Sequence, residues 1–264
     1  AVEYTLAANK MNVIRWMVPT RGLIIGTAGG EFILEGGGGT PLTPSNVRSK
    51  SESNYGCADI SPARIGNVVL FVQKAQRKIR EYVYNWESDT YVEPDLTLLS
   101  EHLTMEGLKE LAYQQEPYSI LWALRNDGVL LGLTYERPQD IVGWHHHTTD
   151  GQIESIAVIP SVQYRQDELW TIVQRSINGV TKRYVEYMDI AVDTDSSLTY
   201  EGSAVQAVSG LDHLIGETVS IVADDAVRPD KVVDTNGAID FGYPSATTVK
   251  AGLLYKSKII TLKP

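Results

Sequence analysis

A single cysteine, Cys57, stands in a chain of 264 residues, so no internal disulfide can form and no cysteine cluster is offered to a metal. Its expected role is that of a small buried hydrophobe. Positive charge is also scarce: 23 Lys and Arg face 33 Asp and Glu, a net charge of −10. That balance argues against a dedicated nucleic-acid-binding or anionic-membrane surface. No apolar run approaches the ~20 residues of a membrane helix, and the opening "AVEYTLAANK" lacks the basic-then-apolar order of a signal peptide. A soluble chain is expected, and one without a starting Met reads as a processed or excised segment. There is no G-x-S-x-G nucleophile elbow. The "GGGG" at 36–39 lacks the strand-before, helix-after setting of a phosphate-binding turn and reads as a flexible loop. No cofactor is expected.

What is present is a repeat. "IRWMVPTRGLIIGT" at 14–27 and "ILWALRNDGVLLGL" at 120–133 share a Trp (Trp16, Trp122), a Gly six residues on (Gly22, Gly128), three aliphatic residues and a second Gly (Gly26, Gly132). A second pair of segments, from Leu70 and from Trp170, shares Val-Gln followed by a basic residue. A unit of roughly 100 residues therefore occurs twice, and each half of it, ~50 residues, has the size of a propeller blade.

Three Asx-Gly pairs punctuate apolar strands: Asp127-Gly128, Asp150-Gly151 and Asn178-Gly179. Such pairs tolerate the positive φ of tight hairpins, so each is expected to join antiparallel neighbours. The fold expected is mainly β, a β-propeller-like domain of antiparallel meanders over 1–193. Its blades fall at about 12–56, 62–95, 118–160 and 166–190. A short helical insertion is expected at about 95–115, with Asp95 as N-cap, Leu96, Leu99 and Leu103 on one face, and Leu108, Leu111 and Ala112 on a second helix. Beyond 193 the Trp-x5-Gly pattern is lost, and 194–264 reads as a small β-sandwich or barrel.

Candidates for chemistry are few. In "GWHHHTTDG" a strand would put His145 and His147 on one face, at i, i+2 spacing, as a low-ranked binding pair. A zinc site wants three or four ligands, and no partner motif appears, so no metal is expected. Asp224-Asp225 and Glu136 with Asp140 could be the carboxyl pair of a glycosidase, but adjacent acids are more often solvated turns. Ser209 and His213 are neighbours in sequence only. Trp16, Trp122, Trp144 and Trp170 sit within strands, where core packing is the expected role over a sugar-binding platform.

"NVIRWMVPTRGLIIGTAGGEFIL", "RIGNVVLFVQKAQRKIREYVYN", "AYQQEPYSILWALRNDGVLLGLTYERPQDIVGWHHH" and "DELWTIVQRSINGVTKRYVEYM" together resemble the central part of the tail tubular B, or nozzle, proteins of short-tailed bacteriophages and related prophage virion proteins. "GLDHLIGETVSIVADDAV" and "VKAGLLYKSKIITLKP" resemble the domain that follows. The resemblance implies a structural virion protein and not an enzyme. It implies blades that assemble as a homo-oligomeric ring with other phage tail proteins, in the virion tail, put together in the host cytoplasm. It further implies transient, non-specific passage of DNA through the lumen and no membrane partner. Family members are longer, so the chain is expected to be a fragment or a short relative. The alternative expectation is a phage receptor- or glycan-binding module, and below that a tail-associated glycosidase.

Overall fold

The computed structural model describes residues 5–6 and 12–259. It is mainly β, built of antiparallel sheets, none of which closes into a barrel. Contacts divide the chain into two compact units, Ala1–His146 and His147–Pro264. The strands after residue 151 pair only with one another.

The first unit is three meanders in succession. Strands β1 (Ile14–Pro19), β2 (Leu23–Thr27), β3 (Glu31–Gly36) and β4 (Val47–Ser53) form one four-stranded sheet in chain order. Strands β5 (Ala63–Ile65), β6 (Val68–Val72), β7 (Ile79–Asn85) and β8 (Thr90–Val92) form the second. The two sheets fall within the segments expected at 12–56 and 62–95. The third comprises β9 (Leu108–Gln114), β10 (Ile120–Arg125), β11 (Leu130–Glu136) and β12 (Ile141–His147). It spans 108–147 where 118–160 was expected, since its first strand was read as helix and its last does not continue into the next hairpin.

The helical insertion at 95–115 is overturned. After Asp95 come turns and a single 3₁₀ turn, Glu101–Leu103, and Leu108–Gln114 is a strand paired with β10. Leu, Lys, Glu and Ala in "LKELAYQ" are good helix formers, but pairing with β10 outweighs a preference of a few tenths of a kcal/mol per residue. Leu99, expected on an apolar helix face, is exposed.

β6 explains how the sheets stack. All five of its residues are buried: Val69 and Phe71 pack with Trp16, Val18, Ile24 and Tyr82, while Val68, Leu70 and Val72 pack with Leu121, Ala123, Leu131 and Leu133. Alternate side chains of a strand point to opposite faces, so the second sheet lies between the first and the third. A continuous apolar strand is the signature of burial on both sides.

The Trp-Gly repeat is a shared register. Trp16 pairs with Gly26 across β1–β2, and Trp122 pairs with Gly132 across β10–β11. The turns differ from expectation, however. Asp127-Gly128 is not a two-residue loop: Gly128 N–H donates to Arg125 O and Arg125 N–H to Val129 O, with only Gly128 at positive φ (84°). This is a three-residue loop ending in a glycine bulge. Gly36 ends β3 and Gly37–Gly39 form a 3₁₀ turn, tied by Asn46, whose Nδ2 donates to Thr40 Oγ1 and Pro41 O and whose Oδ1 accepts from Thr43 N–H.

In the second unit, β13 (Gln152–Ser161), β14 (Gln166–Ile177) and β15 (Val180–Tyr187) form a three-stranded meander. Asn178 and Gly179, both at positive φ, close the expected tight hairpin between β14 and β15. Asp150-Gly151 closes none, because β12 and β13 belong to different sheets. The Val-Gln repeat also fails in register, since Gln73 leads into a turn while Gln174 sits mid-strand opposite Arg183. The remaining strands are β16 (Asp195–Val205), β17 (Ala207–Ser209), β18 (Thr218–Ala223), β19 (Ala226–Val232), β20 (Ala238–Asp240) and β21 (Ala246–Leu253). They make a four-stranded sheet ordered β16-β21-β18-β19 and a ribbon β17-β20. Val219, Ile221, Val249 and Ala251 from the sheet share one core with Ile239 of the ribbon and with Leu211 and Leu214, an open sandwich.

Candidate functional site

The Trp-Gly corner of the third sheet is where the sequence placed its binding candidates. Trp122 is buried, and its Nε1–H donates to Gln114 Oε1 at 2.9 Å. His145 from β12 meets it edge-on, centroids 5.7 Å apart at 87°. The imidazole lies over Gly132, and a Cβ there would lie 2.1 Å from His145 Cε1. Burial first, and the charge of His146 second, hold the His145 pKa below its usual value, so the ring is neutral at pH 7. A neutral, packed imidazole over a glycine is a filler of the sheet face. His147 ends the same strand at i+2 and is half-buried. No group of three or more His, Cys, Asp or Glu among the described residues could hold a metal ion.

The other three tryptophans named from the sequence are packed too. Trp144 is half-buried and donates Nε1–H to Leu96 O at 2.8 Å. Trp170 leans on Tyr187, centroids 5.2 Å apart, and donates to Glu168 Oε2 at 3.1 Å. Trp16 is buried and tilts against Phe71, centroids 5.6 Å apart. Gly22 needs no side chain, because a Cβ would lie 2.7 Å from Leu34 O. Asp127 holds its turn together by accepting from the Arg125 guanidinium, and Asp150 offers its carbonyl to Arg175 Nη1 at 2.8 Å. A Cβ on Gly151 would press on Gln174 O at 2.6 Å.

The carboxyl pairs are turns. Asp224 and Asp225, both at positive φ, form the β18–β19 hairpin loop, and Asp224 accepts from the backbone of Thr247 and Thr248. Asp140, at φ 55°, ends the 3₁₀ turn that follows Glu136. His213 Nε2 bonds Ser196 O at 2.9 Å rather than Ser209.

Sequence reasoning missed three buried polar clusters. In the first, Glu31 is fully buried and accepts from the Ser53 hydroxyl and, at 3.0 Å, from Cys57 Sγ. The side chain of Glu52, 2% exposed, pairs with Lys50 at 2.9 Å and accepts from Thr90. Glu93 has a buried Oε1 without a hydrogen-bond partner, and burial first, then the charge of Glu31, push its pKa up to about 7. Burial and Glu31 also hold the Cys57 thiol far above its ordinary range, so it is no thiolate nucleophile at neutral pH. In the second, Glu81 is buried on β7 with Arg137 Nε 3.1 Å from its Oε1. In the third, Arg175, 1% exposed, is held in a fork by Glu186 at 2.7 Å and reaches Asp195 at 3.2 Å. The available signal was a charged residue at a position whose strand neighbours are apolar, as in "GGEFIL" and "TIVQRSI".

No nucleophile, base and orienting group converge in these arrangements. The sequence matches no protein-family model and no curated protein. Nor is any helix among the described residues long and apolar enough to cross a membrane.

Proposed function

We propose that this chain is a structural component of a bacteriophage or prophage tail of the nozzle type, acting through shape and assembly and not through catalysis. The observation that carries the reading is the succession of four-stranded meanders stacked face to face through β6. Stacked meanders of this kind are how propeller blades bury both faces, and the propeller-like arrangement is part of the proposal. Function in such a scaffold lies at its edges and in its ring. The net charge of −10 suits a conduit, since few cations are present to hold DNA by counterion release.

Electron microscopy and light scattering of the purified protein test the reading. Closed rings that release duplex DNA at physiological salt are expected. A chain that stays monomeric at all concentrations, or binds duplex DNA tightly, would overturn it.

A second reading, glycan or receptor binding, is favoured by one feature that the sequence did not single out. Trp86, at the tip of the β7–β8 hairpin, is 78% exposed and stands edge-on to Tyr84, which in turn meets Tyr91. Exposed aromatics are the usual platform for a sugar ring. A glycan array on the wild type and Trp86→Ala decides it: signal lost with Trp86 supports binding there, and an empty array ends it.

A further inference from the structure

Edge strands expose unpaired backbone groups, and proteins blunt them with bulges, Pro, short length or charge. Most edges in this molecule are blunted. β1 has a register shift and Pro19, β13 a shift and Pro160, and β19 a shift and Pro229. β16 is broken twice, β4 and β9 each pair with a shift, β5, β8, β17 and β20 are three residues long, and β12 contains Gly143. β15 is guarded by charge alone, from Lys182, Arg183 and Glu186. Its eight residues "VTKRYVEY" pair with β14 in unbroken register, contain no Pro or Gly, and have no strand on their other side among the described residues.

We propose that β15 is the docking edge for a second copy of this chain, the two β15 strands pairing antiparallel about Tyr184 to join two three-stranded sheets into one of six. The sequence of the strand is complementary to itself in that register. Lys182 falls opposite Glu186 of the second copy, Glu186 opposite its Lys182, Thr181 opposite Tyr187 and Arg183 opposite Val185. Directly opposed side chains lie about 5 Å apart at Cβ, and opposite charges there are favourable. The charge is also wanted locally. Arg175 is the one cation paired with both Glu186 and Asp195 among the described residues, and the Glu186 side chain is still 21% exposed. Lys182 makes no ion pair among the described residues. An incoming ammonium would balance the second carboxylate. On the outer face, exposed Val185, Tyr187 and Ile172 lie beside the seam and would be partly covered. The interface is isologous, as expected of a twofold pair, and stands apart from the tail reading.

Sedimentation equilibrium over rising concentration is the test. The wild type should add mass in steps of two chains of 29.2 kDa. Lys182→Glu, an exposed position checked for an intact fold by circular dichroism, should halve the mass of the wild-type assembly by setting Glu against Glu186. Tyr184→Cys, oxidised with glutathione disulfide, should give a covalent dimer on a non-reducing gel, because only this register puts residue 184 opposite itself. A wild type that remains monomeric, an assembly whose mass Lys182→Glu leaves unchanged, or a Tyr184→Cys protein that fails to cross-link would each overturn the proposal.

Discussion

His145 lies over Gly132 on the adjacent strand and presents its edge to Trp122. The glycine of the repeat is therefore required by a neighbour's ring and not by a turn. The equivalent Gly26 is covered by Trp16 itself. One sequence pattern thus serves two different packings.

Gly132→Val should be destabilising by about 1–3 kcal/mol through overpacking, since the imidazole has to leave the sheet face. Urea denaturation measures the loss, and near-ultraviolet dichroism should report the changed surroundings of Trp122. A variant with the wild-type midpoint would show that His145 is not seated there.

Trp122→Ala removes a buried indole and its bond to Gln114. The expected cost is about 3–5 kcal/mol. Thermal unfolding checks it, and an unchanged melting temperature would contradict the buried position.

Glu93 makes stability fall as pH rises. Its carboxyl faces Glu31, Ser53, Glu52 and Arg80, and its folded pKa of about 7 lies above the unfolded value of about 4.3. The folded state then binds the extra proton between those values, so stability is full below about 4.3 and is lost as pH rises through about 7. Glu93→Gln should flatten that slope and raise the melting temperature above pH 7. A slope equal to that of the wild type would refute the assignment.

Arg175→Met should cost about 3 kcal/mol or more, because it strands Glu186 and Asp195 without their cation. The loss should appear in the unfolding of the second unit, followed by hydrogen exchange of β14. Equal protection in both proteins would count against an ion pair that holds this sheet.

Much of this architecture is legible in the sequence, for identifiable reasons. β1–β3 and β10–β11 are apolar runs bounded by turn residues, and Asn178-Gly179 has a backbone demand that few residue pairs meet. The failures are equally physical. "LKELAYQ" mixes helix formers with a Leu spacing that fits a helix, and only its pairing with β10 makes it a strand. Asp150-Gly151 has hairpin composition, but β13 finds its partner in β14. The partners of Glu31 and Arg175 come from other strands, so spacing along the chain could not reveal them.

The order of the strands also bears on how the chain is made. In the first unit every paired neighbour is the next strand along, so each sheet can close while the following one is still being synthesised. In the second unit β16 waits for β21, with Asp195 set against Leu253, a contact that spans about half of that unit. Local closure is fast and distant closure is slow. A nascent chain should therefore bury the first three sheets early and carry β16 unpaired until its last strand emerges.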